Sequence, residues 1–123
     1  MIKLVFMLRR APHLSREEFQ RYWRENHAKL VAARADALGI RRYVQRHTVS
    51  EPMFERMGDV RGGVADYDGI AELWWERPGR MTPEQVAAAR EANRVLLEDE
   101  GRFIDLANSP VFFVEDNEVI PLR

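Results

Sequence analysis

Ser15-Arg16-Glu17-Glu18-Phe19-Gln20-Arg21-Tyr22-Trp23-Arg24-Glu25-Asn26-His27 decides how this chain folds and where its chemistry is to be sought. Ser15, with Glu18 three residues on, forms a capping box. The hydroxyl takes the amide of the third helical residue and the carboxylate reaches back. Such a cap contributes roughly 0.5–2 kcal/mol. Phe19, Trp23 and His27 follow at intervals of four and share one side of the helix, with Leu30 and Val31 beyond. An imidazole pointing the way the aromatic rings point is either a hydrogen-bonded core group or part of a pocket. The helix is expected to run to about Leu38, where Gly39 supplies the left-handed residue that ends it.

Upstream, Ile2-Lys3-Leu4-Val5-Phe6-Met7-Leu8 reads as a strand, apolar nearly throughout, and residues 9–14 as a loop around Pro12. Downstream, residues 40–49 read as a second strand, with Tyr43, Gln45, His47 and Val49 on one side and Arg42, Val44, Arg46 and Thr48 on the other. The plan then repeats. Residues 69–76 read as a strand, broken by Pro78-Gly79. Thr82-Pro83-Glu84-Gln85 is a second capping box, with proline at the first helical position, where its missing N–H costs nothing. A helix to about Glu100 is expected, with Val86, Ala89, Asn93, Leu96 and Leu97 near one stripe. A short helical turn over residues 102–107 and a last strand, Val111-Phe112-Phe113-Val114, complete the chain.

The order β-α-β-β-α-β is the ferredoxin-like, split arrangement of an α+β fold, with a four-stranded antiparallel sheet. Two helices cover only one face of such a sheet, yet strands one, three and four carry large apolar residues on both. A bare apolar face is an aggregation hazard, so a homodimer packed sheet on sheet, a dimeric α+β barrel, is expected. Residues 50–68, with Pro52, Gly58, Gly62 and Gly63, exceed the usual loop length and suit either a lid or a solvated connector with one helical turn.

Composition bounds the rest. The 123 residues suffice for one domain with a real core, and residues 1–123 are read as one. The content of 46% hydrophobic and 32% charged residues is ordinary for a globular protein. A net charge of -1 gives no general attraction to nucleic acid or anionic membrane. Without cysteine there is no disulfide, thiolate nucleophile or thiolate metal site. The apolar start runs into Arg9-Arg10 rather than a small-residue cleavage site. No apolar stretch approaches the ~20 residues that span a bilayer. A cytoplasmic protein is expected. The three histidines lie 14 and 20 residues apart, so no pair sits at one-turn metal spacing, and no metal site is expected. Phosphate-binding glycine loops and serine nucleophile elbows are also missing.

The segment from Leu14 to Leu30, the strand before it with Arg9-Arg10, and Tyr67-Asp68-Gly69-Ile70-Ala71-Glu72-Leu73-Trp74 together resemble the EthD family, over nearly the whole chain. The resemblance implies a member of the dimeric α+β barrel superfamily, with a pocket between helices and sheet in each subunit. Relatives of that barrel include cofactor-free monooxygenases, lactone isomerases, haem-degrading enzymes and dehydratases, so the family name alone does not fix the chemistry.

His27 matches the family's helix histidine, which makes it a candidate general acid or base in a pocket walled by Phe19 and Trp23; the bland alternative is a core histidine bonded to a backbone carbonyl. Asp66 and Asp68, at the start of the third strand, are candidates to orient that imidazole, against plain turn chemistry. The Tyr67 or Tyr43 phenol is a candidate to bind a substrate oxygen. Trp74 and Trp75 are neighbours on a strand and face opposite ways, so one of them, with Trp23 and Phe6, suits a flat aromatic ligand. Arg9 could pair with an acidic substrate or with Glu72. The expected function is that of a cofactor-independent enzyme moving a proton on a small hydrophobic, cyclic or aromatic oxygenated compound by dehydration, cyclisation or isomerisation. A non-catalytic dimeric module binding such a molecule, and a cofactor-free monooxygenase, are the alternatives.

Overall fold

The computed structural model describes residues 1–123. Strand β1 (Ile2–Leu8) leads into a helical arm made of α1 (Arg16–Tyr22), a π-helical turn (Trp23–His27), α2 (Ala28–Ala33) and α3 (Ala35–Leu38). Then follow β2 (Ile40–His47), α4 (Pro52–Val60), β3 (Gly69–Trp75), α5 (Pro83–Phe103), a 3-10 turn (Leu106–Asn108) and β4 (Val111–Val114). The strands form one antiparallel sheet in the order β2-β3-β1-β4. The two central strands come from opposite halves of the sequence, which is the ferredoxin-like α+β arrangement expected from the element order.

Local chemistry explains the boundaries. Both capping boxes form: Ser15 and Thr82 accept from the third helical amide, and Glu18 and Gln85 accept from the cap backbone in return. Gly39, at φ 68°, closes α3 in the left-handed region.

The arm is not the continuous helix expected from its spacing. At Trp23–His27 the ladder widens, so that the Ala28 amide reaches back to the Trp23 carbonyl. Gln45 Nε2, from β2, donates to the same carbonyl at 3.0 Å, so the sheet itself holds the widened turn open. Turns of this kind recur at functional sites.

A core cluster of Leu8, Phe19, Trp23, Ala71, Phe103 and Ile104 ties the arm and the end of α5 to the central strands. Phe19 packs against Trp23 and Phe103 at centroid distances of 5.7 and 5.4 Å. Gly69 is required here: a Cβ would stand 2.5 Å from Trp23 Cζ3 and 2.9 Å from the Arg46 carbonyl oxygen.

Three further expectations are corrected. The second strand ends at His47 rather than residue 49. Residues 50–68 hold a nine-residue helix, not one turn, and its Met53, Phe54, Met57 and Val60 are all exposed. The buried residues of α5 are Ala92, Leu96, Asp99 and Phe103; of the expected stripe, Ala89, Asn93, Leu96 and Leu97 line the cavity between helices and sheet, and Val86 is exposed. The outer sheet face carries Val5, Met7, Val44, Ile70, Phe112 and Val114, as strand alternation dictates. Crossing it is a charged row, Lys3–Glu72–Arg46, at 3.4 and 2.8 Å. No helix is long and apolar enough to cross a membrane.

Candidate functional site

Between the helices and the inner sheet face lies a cavity of about 1050 Å3, lined mostly by apolar side chains. It lies at the upper end of the range typical of small-molecule sites. Trp23 and His27 reach it from the π turn, Phe6 and Trp75 from the central strands, Tyr43 from β2 and Glu100 from α5.

His27 is 6% exposed, and its Nδ1 lies 2.8 Å from Asp99 Oδ2. Asp99, 2% exposed, also accepts from the Tyr22 hydroxyl at 2.6 Å and from Arg102 at 3.2 Å. Burial pushes the Asp99 carboxyl up, but the hydrogen bonds from Tyr22, His27 and Arg102 outweigh it and hold it below the usual carboxylate range. An ionised carboxylate only accepts, so Nδ1 carries the proton and Nε2 the free lone pair. Burial lowers the His27 pKa further than Asp99 raises it, which leaves the ring neutral at pH 7. Phe103 packs on it at 5.0 Å. The result is a neutral imidazole with its basic nitrogen unpartnered, the form a general base needs.

Tyr43 is set up as a donor. Its oxygen accepts from Trp23 Nε1 at 3.1 Å and from Gln45 Nε2 at 3.0 Å. The Gln45 amide is oriented in turn, because its Oε1 faces His47 Nε2 at 2.9 Å. With both lone pairs engaged, the phenol has only its own O–H left to offer. Burial raises its pKa despite those two bonds, so the proton stays on at neutral pH.

Glu100, from α5, lines the same cavity. Burial first, and the adjacent Asp99 charge second, push its carboxyl up to about 7.

The residues expected from sequence divide between cavity and scaffold. Trp23, Phe6, Tyr43, Trp75 and His27 line the cavity. Phe19 is fully buried in the core beneath it. Trp74 faces the outer side, where Lys3 and Arg42 sit over its ring at 4.7 and 4.6 Å. Asp66 and Asp68 do not orient the imidazole. Asp68 accepts from the Arg10 amide at 2.8 Å, from the Arg10 guanidinium at 2.6 Å and from Arg16 Nε at 2.9 Å. Asp66 pairs with Arg16 at 2.7 Å. Both are drawn off by arginines nearer to them than the imidazole. Tyr67 lies under the Arg9 guanidinium at 3.9 Å, away from the cavity. Arg9 does not pair with Glu72, because its guanidinium donates to the Asp66 and Ala65 carbonyls at 2.6 and 2.8 Å, and Glu72 is taken by Lys3 and Arg46. The partner of His27 is a carboxylate, not a backbone carbonyl. No group of three or more His, Cys, Asp or Glu is arranged to hold a metal ion.

Asp99 and Glu100 were missed. The available signal was periodicity: Asp99 falls three after Leu96 and four before Phe103, within the buried stripe of α5. A buried carboxylate needs a partner, and the inward histidine of the first helix is the complementary group.

An α+β fold of this topology, with its cavity between arm, α5 and sheet, defines a ferredoxin-like small-molecule-sized site. A family profile described as EthD domain matches residues 11–107, and the chain belongs to the EthD family. An ethyl tert-butyl ether D (EthD) family protein from Bacillus halodurans C-125 is similar in structure. It superposes with a TM-score of 0.59 at 16% identity, covering 95% of this chain and 100% of that one. The Arabidopsis thaliana protein At3g17210 superposes with a TM-score of 0.52 at 17% identity, covering 98% of this chain and 100% of that one. At these identities the likeness is one of fold. No curated protein matches the sequence.

Proposed function

We propose that this EthD-family protein is a cofactor-independent enzyme that moves a proton on a small hydrophobic, cyclic or aromatic oxygenated compound. One observation carries the reading: a neutral imidazole, pinned at Nδ1 by Asp99, and a Tyr43 phenol restricted to donating line the same apolar cavity. His27 Nε2 takes a proton from the carbon beside a carbonyl. The Tyr43 O–H holds the negative charge that develops on the carbonyl oxygen. Trp23, Phe6 and Trp75 wall the cavity and suit a flat ring. Asp99 positions the base without touching substrate. The working unit is residues 1–123 as one domain, paired with a second copy across the apolar part of the outer sheet face.

The test is hydrogen–deuterium exchange at the carbon next to the carbonyl of α-tetralone, followed by NMR in heavy water. Wild type is expected to exceed the buffer rate and His27→Gln to fall back to it. Wild type no faster than buffer, or a His27→Gln variant as fast as wild type, overturns the proposal. A cavity this apolar also suits a non-catalytic binding module, which would retain α-tetralone without exchanging its protons. A cofactor-free oxygenase would begin with the same abstraction and then consume oxygen.

A further inference from the structure

We propose that Glu100 is the second proton-transfer group of this cavity, acting as the acid to the base His27, and that its substrate is a β-hydroxy carbonyl compound that loses water. The inference rests on the reading of His27 as a base and adds a catalytic residue and a substrate class to it.

The geometry sets Glu100 apart from the other carboxylates of α5. Glu84 is exposed to solvent, and Glu91 and Glu98 are exposed and tied to Arg94 or Arg102. Asp99 is consumed by Tyr22, His27 and Arg102. Glu100 lies beyond Leu96 and Asn93 on the face of α5 that lines the cavity, and neither a hydrogen bond nor an ion pair satisfies it. A half-buried carboxyl left unpaired in an apolar cavity costs stability unless it keeps its proton. Nothing in the fold uses it. The same burial acts oppositely on the two groups, lowering the imidazole and raising the carboxyl. A free base and a protonated acid thus coexist near neutrality, the pattern by which acid and base roles are divided.

Proton abstraction next to a carbonyl needs a base and an oxyanion donor, which His27 and Tyr43 supply. An additional acid is needed where a bond to oxygen must break with a poor leaving group. In the step proposed, His27 Nε2 removes the proton beside the carbonyl and the electron pair moves onto the carbonyl oxygen at Tyr43. The pair returns to form the C=C bond as the bond to the β-hydroxyl breaks. Glu100 gives its proton to the departing oxygen, which leaves as water. The imidazolium and carboxylate left behind are restored when one proton passes between them through solvent. No oxidant, reductant or co-reactant is required.

Two probes separate this role from that of His27. α-Tetralone reports abstraction alone. Its 3-hydroxy derivative loses water to give α-naphthol, read by absorbance, and reports abstraction plus departure of the hydroxyl. Glu100→Gln is expected to slow dehydration by about 100-fold or more while exchange falls by less than about tenfold, and Glu100→Asp to recover part of the dehydration rate. Equal losses in both reactions, dehydration by Glu100→Gln at the wild-type rate, or a wild type that exchanges without dehydrating each overturn the role of Glu100. A wild type that does not exchange overturns the reading of His27, and this one with it.

Discussion

Asp99 Oδ2 and His27 Nδ1 lie 2.8 Å apart although 72 residues separate them. The carboxylate fixes which ring nitrogen carries the proton, and so which one is free to act. Asp99→Asn offers a neutral amide in its place and releases the tautomer. We expect exchange with α-tetralone to fall by about 100-fold. Nitrogen NMR of the imidazole checks the cause: Nδ1 protonated in wild type, and a mixture of tautomers in the variant.

Turnover should depend on pH through both groups. The base form of His27 is present above its lowered pKa, and the acid form of Glu100 is lost as pH rises through about 7. The rate of dehydration is therefore expected to be bell-shaped, with its maximum on the acid side of neutrality, while exchange keeps only the acid limb. Exchange that falls along the same alkaline limb in both wild type and Glu100→Gln would contradict this division of labour.

Stability should record the cost of Glu100. Its folded pKa is raised above the ordinary 4.5, so its contribution is fully present below 4.5 and is lost as pH rises through about 7. Above pH 8 the wild type carries a half-buried charge that Glu100→Gln lacks. The variant should melt higher there, by roughly 3–6 °C, with the difference vanishing near pH 4.

Asp68 acts in the opposite direction. Burial pushes its carboxyl up, but the Arg10 amide and the Arg16 and Arg10 guanidiniums outweigh it and hold it below the ordinary value. Its contribution is present above the ordinary carboxylate pKa and is lost as pH falls through the lowered one. Asp68→Asn strips one buried anchor from two arginines and should cost about 2–3 kcal/mol at pH 7, read by denaturant unfolding, with a smaller cost at pH 3.

Gly69→Ala tests the wall of the cavity. The added methyl would overlap the Trp23 ring and the Arg46 carbonyl. Overpacking of this kind typically costs about 1–3 kcal/mol, and here it displaces the turn that carries His27. Both melting temperature and exchange rate should fall. The pairing proposed across the outer sheet face predicts a dimeric mass in light scattering for the wild type and a monomeric one for Val5→Lys; a monomeric wild type would overturn it.

The fold was legible because it is written in local signals. Two capping boxes, Gly39 and the apolar strands set the element order, and the order sets the topology. The inward turn of His27 was legible from its spacing to Trp23. What spacing could not convey is which distant carboxylate meets that ring. Asp66 and Asp68 were closer to a recognisable motif, but three arginines, Arg9, Arg10 and Arg16, converge on that corner and claim its carboxylates and carbonyls. Asp99 sits in a helix rich in acids, where only the phase of the buried stripe distinguishes it from Glu98. The widened turn at Trp23–His27 also lay out of reach, since it depends on Gln45 of β2 holding the Trp23 carbonyl.

Arg16 grips Ser50 at 3.1 Å and Asp66 at 2.7 Å, the two feet of the excursion that carries α4. One side chain thus closes that excursion at its root, and the sheet is insulated from its length. Lengthening a closed loop is inexpensive, about 0.6 kcal/mol for each doubling. The tip of α4 is accordingly a graft point, where a foreign segment or a pair of new chain ends can be placed while the helix bearing His27 keeps its seat.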